Sequence, residues 1–125
     1  MSIWTHNLKG MEFLPTFSVA RYTGKAVKYA AGIMSYELSP LGLKHNITLI
    51  TPGGSTVGAA GGFIQGGGHS GLTSYYGLAS DQVLSVNLVT ADGRFITVDP
   101  SQNTELYWAI RGGGGGTSFT TLKIP

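Results

Sequence analysis

The sequence contains no cysteine. That excludes disulfides and thiolate metal ligands and leaves the redox compartment unread. Charge is scarce as well: Asp, Glu, Lys and Arg make up 11% of the 125 residues, against roughly 25% in an ordinary domain. A surface so poor in charge has regions to be covered by a ligand, a further domain or a partner. The eight cations, Lys9, Arg21, Lys25, Lys28, Lys44, Arg94, Arg111 and Lys123, are dispersed, and the net charge is only +2. With no basic stripe, nucleic-acid binding is rejected as a primary role. No apolar run approaches a membrane span, and Met1–Gly10 does not read as a signal peptide. No membrane partner and no metal site are therefore expected. Asn46-Ile47-Thr48 fits a glycosylation sequon, a tripeptide too common by chance to place the chain in any compartment. The length suits one small domain, and 42% apolar residues can build its core.

Glycine is what the sequence has in excess. There are twenty, most of them between Gly53 and Gly77 and between Gly112 and Gly116. Around them, Ser2–Thr5 reads as a short strand and Gly10–Pro15 as a turn. Alternation over Arg21–Ile33 predicts a strand, folded as a hairpin at Thr23-Gly24. Tyr36, Leu38, Leu41 and Leu43 predict a short helix over Ser35–His45, broken or kinked near Pro40 and Gly42. Asn46–Ile50 reads as a compact strand. Leu72–Leu78 is expected to be helical, with Leu72, Tyr75, Tyr76 and Leu78 facing inward. Val83–Thr90 and Arg94–Val98 predict an antiparallel pair turning at Asp92-Gly93. Ser101 or Asn103 caps a last helix, which buries Tyr107 and Trp108 and stops at Gly112. Strands and helices alternate irregularly, with no repeat and no internal boundary. The expected class is α+β, a mixed or antiparallel sheet with flanking helices.

The stretch from Thr56 to His69 is not a flexible linker. Its glycines are interleaved with Val57, Ala59, Ala60, Phe63 and Ile64 rather than with serine and charge. Such a segment is packed, and its glycines serve either close approach or positive φ. Backbone lacking Cβ can lie against a flat or anionic ligand and direct N–H groups at it. A tight structural turn in a close-packed sheet would use the same residues. No Gly-Lys-Ser/Thr ends the stretch, so it is not a P-loop. Gly66-Gly67-Gly68-His69-Ser70-Gly71 is not a dinucleotide fingerprint either: no clean parallel strand precedes it.

Several short motifs occur in one order: Thr56-Val57-Gly58, Gly61-Gly62, Gly66-Gly67-Gly68-His69-Ser70, Tyr76-Gly77-Leu78-Ala79-Ser80-Asp81, Ala91-Asp92-Gly93 and Glu105-Leu106-Tyr107-Trp108-Ala109-Ile110-Arg111-Gly112-Gly113-Gly114. That series resembles the second half of the FAD-binding domain of the vanillyl-alcohol-oxidase and p-cresol-methylhydroxylase superfamily. The nearest branch is the berberine-bridge-enzyme-like FAD-linked oxidoreductases. The resemblance spans nearly all of residues 1–125 and implies the second α+β lobe of a PCMH-type domain. It implies FAD as cofactor, with Thr56, Val57, Gly58, Gly61, Gly62, Gly66, Gly67, Gly68 and His69 lining it. It also implies hydride transfer from a small organic substrate to the flavin and reoxidation by oxygen in the intact enzyme.

Individual side chains keep alternative roles. His69 is either a proton-handling group beside the flavin or a hydrogen-bonded structural imidazole. Asp81 reads as a turn-fixing carboxylate rather than a chemical group. Arg111 either serves FAD or caps the last helix. The resemblance also has departures. The family's histidine-bearing first FAD loop and its substrate domain have no counterpart among these residues. Gly54 stands where many members attach the flavin through cysteine. After Gly116-Thr117, Ser118-Phe119-Thr120 follows at once, as though the family's next strand were skipped. No catalytic residue is assigned, and the chain alone is expected to be inactive. The alternative reading is a non-enzymatic remnant acting as a binding or interaction module.

Overall fold

The computed structural model describes residues 3–116 and the strand at 119–124. Among the described residues, five strands form one sheet: β1 (Met11–Val19), β2 (Tyr22–Ala30), β3 (Val86–Thr90), β4 (Phe95–Val98) and β5 (Phe119–Ile124). Their order is β1-β2-β5-β3-β4, and every described pair is antiparallel. Four helices flank it: α1 (Ser35–His45), α2 (Gly62–Gln65), α3 (Thr73–Tyr76) and α4 (Thr104–Ile110), with a 3₁₀ turn at Ala79–Gln82. The α+β expectation holds.

The predicted hairpin at Asp92-Gly93 is present. Val86 pairs with Val98 and Val89 with Phe95, and Gly93 takes φ +84, a value that favours glycine. The first arm starts at Val86 rather than Val83, because residues 83–85 lead out of the 3₁₀ turn. Alternation buries Val86 and Leu88 on one face.

The N-terminal third departs further from expectation. Residues 3–5 form no strand; the Thr5 carbonyl accepts a bond from Leu8 N–H, and Trp4 stacks on His6. Ser2 lies outside the described residues. Gly10–Pro15 is not a turn, since β1 begins at Met11. Pro15 is accommodated because β1 is an edge strand and its register shifts between Leu14 and Phe17. The hairpin turns at Ala20-Arg21, with Ala20 at φ +49, not at Thr23-Gly24.

The helix Ser35–His45 forms as expected but runs unbroken through Pro40. Glu37 accepts a bond from Met34 N–H at its start and an ion pair from Lys9 at 2.7 Å. Those two contacts, the Lys9 bond first, hold the Glu37 carboxyl below its ordinary range. Asn46–Ile50 is not a strand. Asn46 adopts φ +49 to close α1, and Thr48–Thr51 exchange no backbone hydrogen bonds with described residues.

Leu72–Leu78 yields only the single turn of α3. Gly77 at φ +79 ends it, and Tyr75 and Tyr76 are exposed. A one-turn helix has no side to bury. In α4, Tyr107 and Ile110 face inward, while Trp108, one step or ~100° on, is 75% exposed. Neither predicted cap operates. Asn103 sits at the cap position with φ +51, and its amide donates to Thr97 O instead. Asp99 organises that loop, accepting from Ser101 and Gln102. Burial raises the Asp99 pKa, but those bonds outweigh it and hold the carboxyl below its ordinary value. After Gly116, Phe119–Ile124 forms the strand β5.

Candidate functional site

Two apolar clusters hold the first glycine loop in place. One gathers Ala60, Ile64, Ala79, Val86, Leu88, Tyr107 and their neighbours; the other gathers Val27, Ile33, Leu38 and Ala59. Ala59 and Ala60 are consecutive yet belong to different clusters, so the loop is pinned at the seam between them. Hydrogen bonds complete the fixation. Ser35 N–H donates to Val57 O, Tyr36 N–H to Ser55 O and Ala59 N–H to Ile33 O. At the far end, Ala79 and Ser80 N–H donate to Gly68 O and Gly67 O.

The predicted site residues divide into two groups. Gly67 and Gly68 are buried at φ +97 and +78. A Cβ on Gly68 would stand 2.5 Å from Ala79 Cβ. The fold itself requires these two, which form the floor of the loop. Thr56, Val57, Gly58, Gly62, Gly66 and His69 are exposed, and Gly61 is half-buried. At Gly58, Gly61 and Gly62, φ is not positive, and a Cβ would meet nothing within 4 Å. Neither positive φ nor crowding inside the chain requires glycine at Gly58 and Gly62, which leaves their surface open to close approach from outside. The N–H groups of Gly58, Ala60 and Gly61 donate to no acceptor among the described residues.

The second glycine run joins the first. Gly114 N–H donates to Gln65 O at 2.8 Å, and a Cβ on Gly115 would touch the Gln65 side chain. The two loops lie side by side. Gly112 and Gly114 take φ +113 and +91. Gly113 is packed against Ala109 O, where a Cβ would come within 2.3 Å. Arg111 lies over the Tyr107 ring at 4.4 Å, and Tyr107 is itself tied to Val83 O by a 2.5 Å bond from its hydroxyl.

Asp81 is structural, accepting from Leu78 N–H at 2.9 Å, in line with the turn-fixing role. His69 makes no hydrogen bond among the described residues, so the hydrogen-bonded structural imidazole is not what it forms here. No cluster of three His, Asp or Glu among the described residues could hold a metal, and no helix is long and apolar enough to cross a membrane.

A cavity of ≈ 580 Å³ lies elsewhere, between β2, residues 46–50 and residues 76–84. Tyr29, Ile47, Leu49, Ile50, Val83 and Leu84 line it, and Ile64 is the one residue of the 56–69 loop that reaches it. An apolar lining suits packed polypeptide better than a phosphate-bearing ligand, so the glycine surface, not this cavity, is the candidate cofactor site.

Comparison with known proteins shows the family of the chain. The FAD binding domain family matches residues 7–99. An FAD-linked oxidoreductase, patO of Penicillium expansum, is 50% identical over 117 residues, covering 94% of this chain and 20% of its own length. The crystal structure of the VAO-type flavoprotein MtVAO615 from Myceliophthora thermophila C1 superposes with a TM-score of 0.93 at 42% identity, over 97% of this chain and 22% of that one. The BBE-like 1 protein of Physcomitrella patens superposes with a TM-score of 0.80 at 27% identity, over 95% and 24%. The chain thus spans about a fifth of the length of these relatives.

Proposed function

This chain belongs to the FAD binding domain family, and on that premise we propose that residues 1–125 form one lobe of the FAD cleft of a VAO-type, berberine-bridge-like oxidoreductase. Thr56, Val57, Gly58, Gly61, Gly62, Gly66 and His69 face the cofactor in this reading, with Gly67 and Gly68 as the floor beneath them. The observation that carries it is the pair of glycines at 58 and 62, vacant on their Cβ side and without a positive φ to require them. The unclaimed N–H groups beside them fit a planar, polar-edged ligand. FAD, when bound, supplies the hydride-accepting chemistry, and the intact enzyme acts on a small organic substrate. The residues of this chain bind and orient the cofactor. None is assigned to turnover, and the 125-residue chain alone is expected to show none.

The test is FAD titration of the chain, followed by backbone amide shifts. Shifts confined to residues 56–69 and 112–116 are expected. The double variant Gly58→Ala/Gly62→Ala should be no less stable than wild type and weaken FAD at least tenfold, about 1.4 kcal/mol. Acid precipitation should leave a colourless pellet, because these residues hold neither a cysteine for attachment nor a counterpart of the histidine-bearing loop that the resemblance implies, and a yellow pellet would put the link on His69. Shifts centred on the apolar cavity, or equal affinity in the variant, would overturn the assignment.

A further inference from the structure

A single Asn-X-Thr sequon lies in the chain. Of Asn7, Asn46, Asn87 and Asn103, only Asn46 has a hydroxyl residue two positions on, and neither Ile47 within the sequon nor Leu49 after it is proline. Chance produces such tripeptides often, and a fold that buries or occupies the amide makes them useless. Here the structure supplies what chance does not. Asn46 and Thr48 are both exposed, while Ile47 between them is half-buried. Neither the Asn46 amide nor the Thr48 hydroxyl makes a hydrogen bond among the described residues. Both side chains are therefore free of any task in holding the fold together.

The backbone around the amide suits an acceptor. Asn46 closes α1 at φ +49 and ψ +56, the left-handed conformation that asparagine adopts more readily than most residues. Its backbone N–H is taken by Gly42 O and Leu43 O, so the main chain fixes the position and the amide does not. From Thr48 to Thr51 no backbone hydrogen bond is exchanged with described residues. The segment that a transferase must grip is thus held in neither helix nor ladder. Leu43, in the last turn of α1, is 85% exposed, and Lys44 is exposed beside it. Nothing among the described residues covers this end of the helix, and a bulky glycan needs that clearance. Asn46 also contributes to the lining of the apolar cavity; being exposed, it stands at the rim and not inside.

We propose that Asn46 is the acceptor of an N-linked glycan. The donor is an oligosaccharide carried on a lipid diphosphate. Asn46 Nδ2 forms a bond to the anomeric carbon of the first sugar, and the bond from that carbon to the phosphate oxygen breaks. The lipid diphosphate leaves with the electron pair, and Nδ2 gives up one proton. Thr48 supplies the hydroxyl by which the asparagine is selected and forms no bond to the sugar. The modification is independent of the FAD surface.

The test places a cleavable secretion leader before the chain in a yeast host and recovers the protein from medium and cells alike. Intact mass is read before and after an amidase that releases N-glycans and leaves an aspartate where the linked asparagine stood. Wild type should carry a single glycan, and peptide mapping after release should put the new carboxylate at position 46. Thr48→Ala should lose the glycan, and Thr48→Ser should keep it at reduced occupancy. Asn46→Gly, which preserves the left-handed helix end, should lose it too. The glycosylated chain should melt no lower than the same protein after glycan release, because the Asn46 amide holds nothing in place. If Asn46→Gly fails to fold, the two Thr48 variants decide, since neither touches the helix end. Wild type without a glycan in both medium and cells, a glycan that survives in Thr48→Ala, or a lower melting point with the glycan than without it would each overturn the assignment.

Discussion

At the scale of single residues, twenty glycines look alike in the sequence but answer to different forces. Gly68 is held by its own fold, through positive φ and contact with Ala79. Gly68→Ala should cost about 2–4 kcal/mol from strain and overpacking together, read as a lowered urea midpoint with an unchanged slope. Gly62, at the start of α2 with no neighbour near its Cβ, should accept Ala with a gain of up to ~1 kcal/mol. Equal destabilisation at both positions would remove the distinction between floor and contact surface. Sequence alone located the loop, because apolar residues interleave its glycines. It could not sort them, because φ and clearance are set by neighbours far along the chain, such as Ala79 for Gly68. The same holds for Arg111: that its Nε lies buried without an acceptor among the described residues is visible only in three dimensions.

At the scale of elements, the hairpin of β3 and β4 was legible because alternation and Asp-Gly turn chemistry agree. The failures occurred where a single signal was overridden. Pro15 marks a turn by composition, but an edge strand with a register shift tolerates it. In α4, three consecutive large residues, Leu106, Tyr107 and Trp108, gave no phase from which to choose the inward face. Packing against Val83 and Val98 chose Tyr107. Tyr107→Phe should therefore lose about 1–2 kcal/mol by leaving the buried Val83 carbonyl without its donor. Trp108→Ser should stay within ~0.5 kcal/mol. Thermal unfolding of the two variants checks this, and a larger loss at Trp108 would mean that α4 is rotated from its described position.

At the scale of the whole molecule, the two apolar clusters meet at Tyr29, which packs against both. Burial pushes its phenol up to about 12 from the ordinary 10.0. The unfolded phenol ionises first as pH rises, so the stability tied to Tyr29 is intact below pH 10 and is lost between pH 10 and about 12. Ultraviolet titration should show a late tyrosinate step that coincides with unfolding, and Tyr29→Phe should remove it. An early, reversible ionisation of Tyr29 in the folded chain would contradict the packing. The family was readable from the order of its short motifs, whereas the meeting of the two clusters was not, since it joins residues from β2, α1 and the glycine loop.

The strand order carries a consequence for how the chain is made. β5 is the last of the described strands in sequence, yet it lies at the centre, flanked by β2 and β3. A nascent polypeptide emerging from the ribosome can form the hairpin of β1 and β2, and later that of β3 and β4, but nothing joins them until residues 119–124 have left the exit tunnel. Until then each hairpin presents an unpaired edge to solvent. Completion of the sheet therefore waits on residues 119–124, and the interval before they emerge is when this chain is most open to chaperones, or to pairing with another copy of itself.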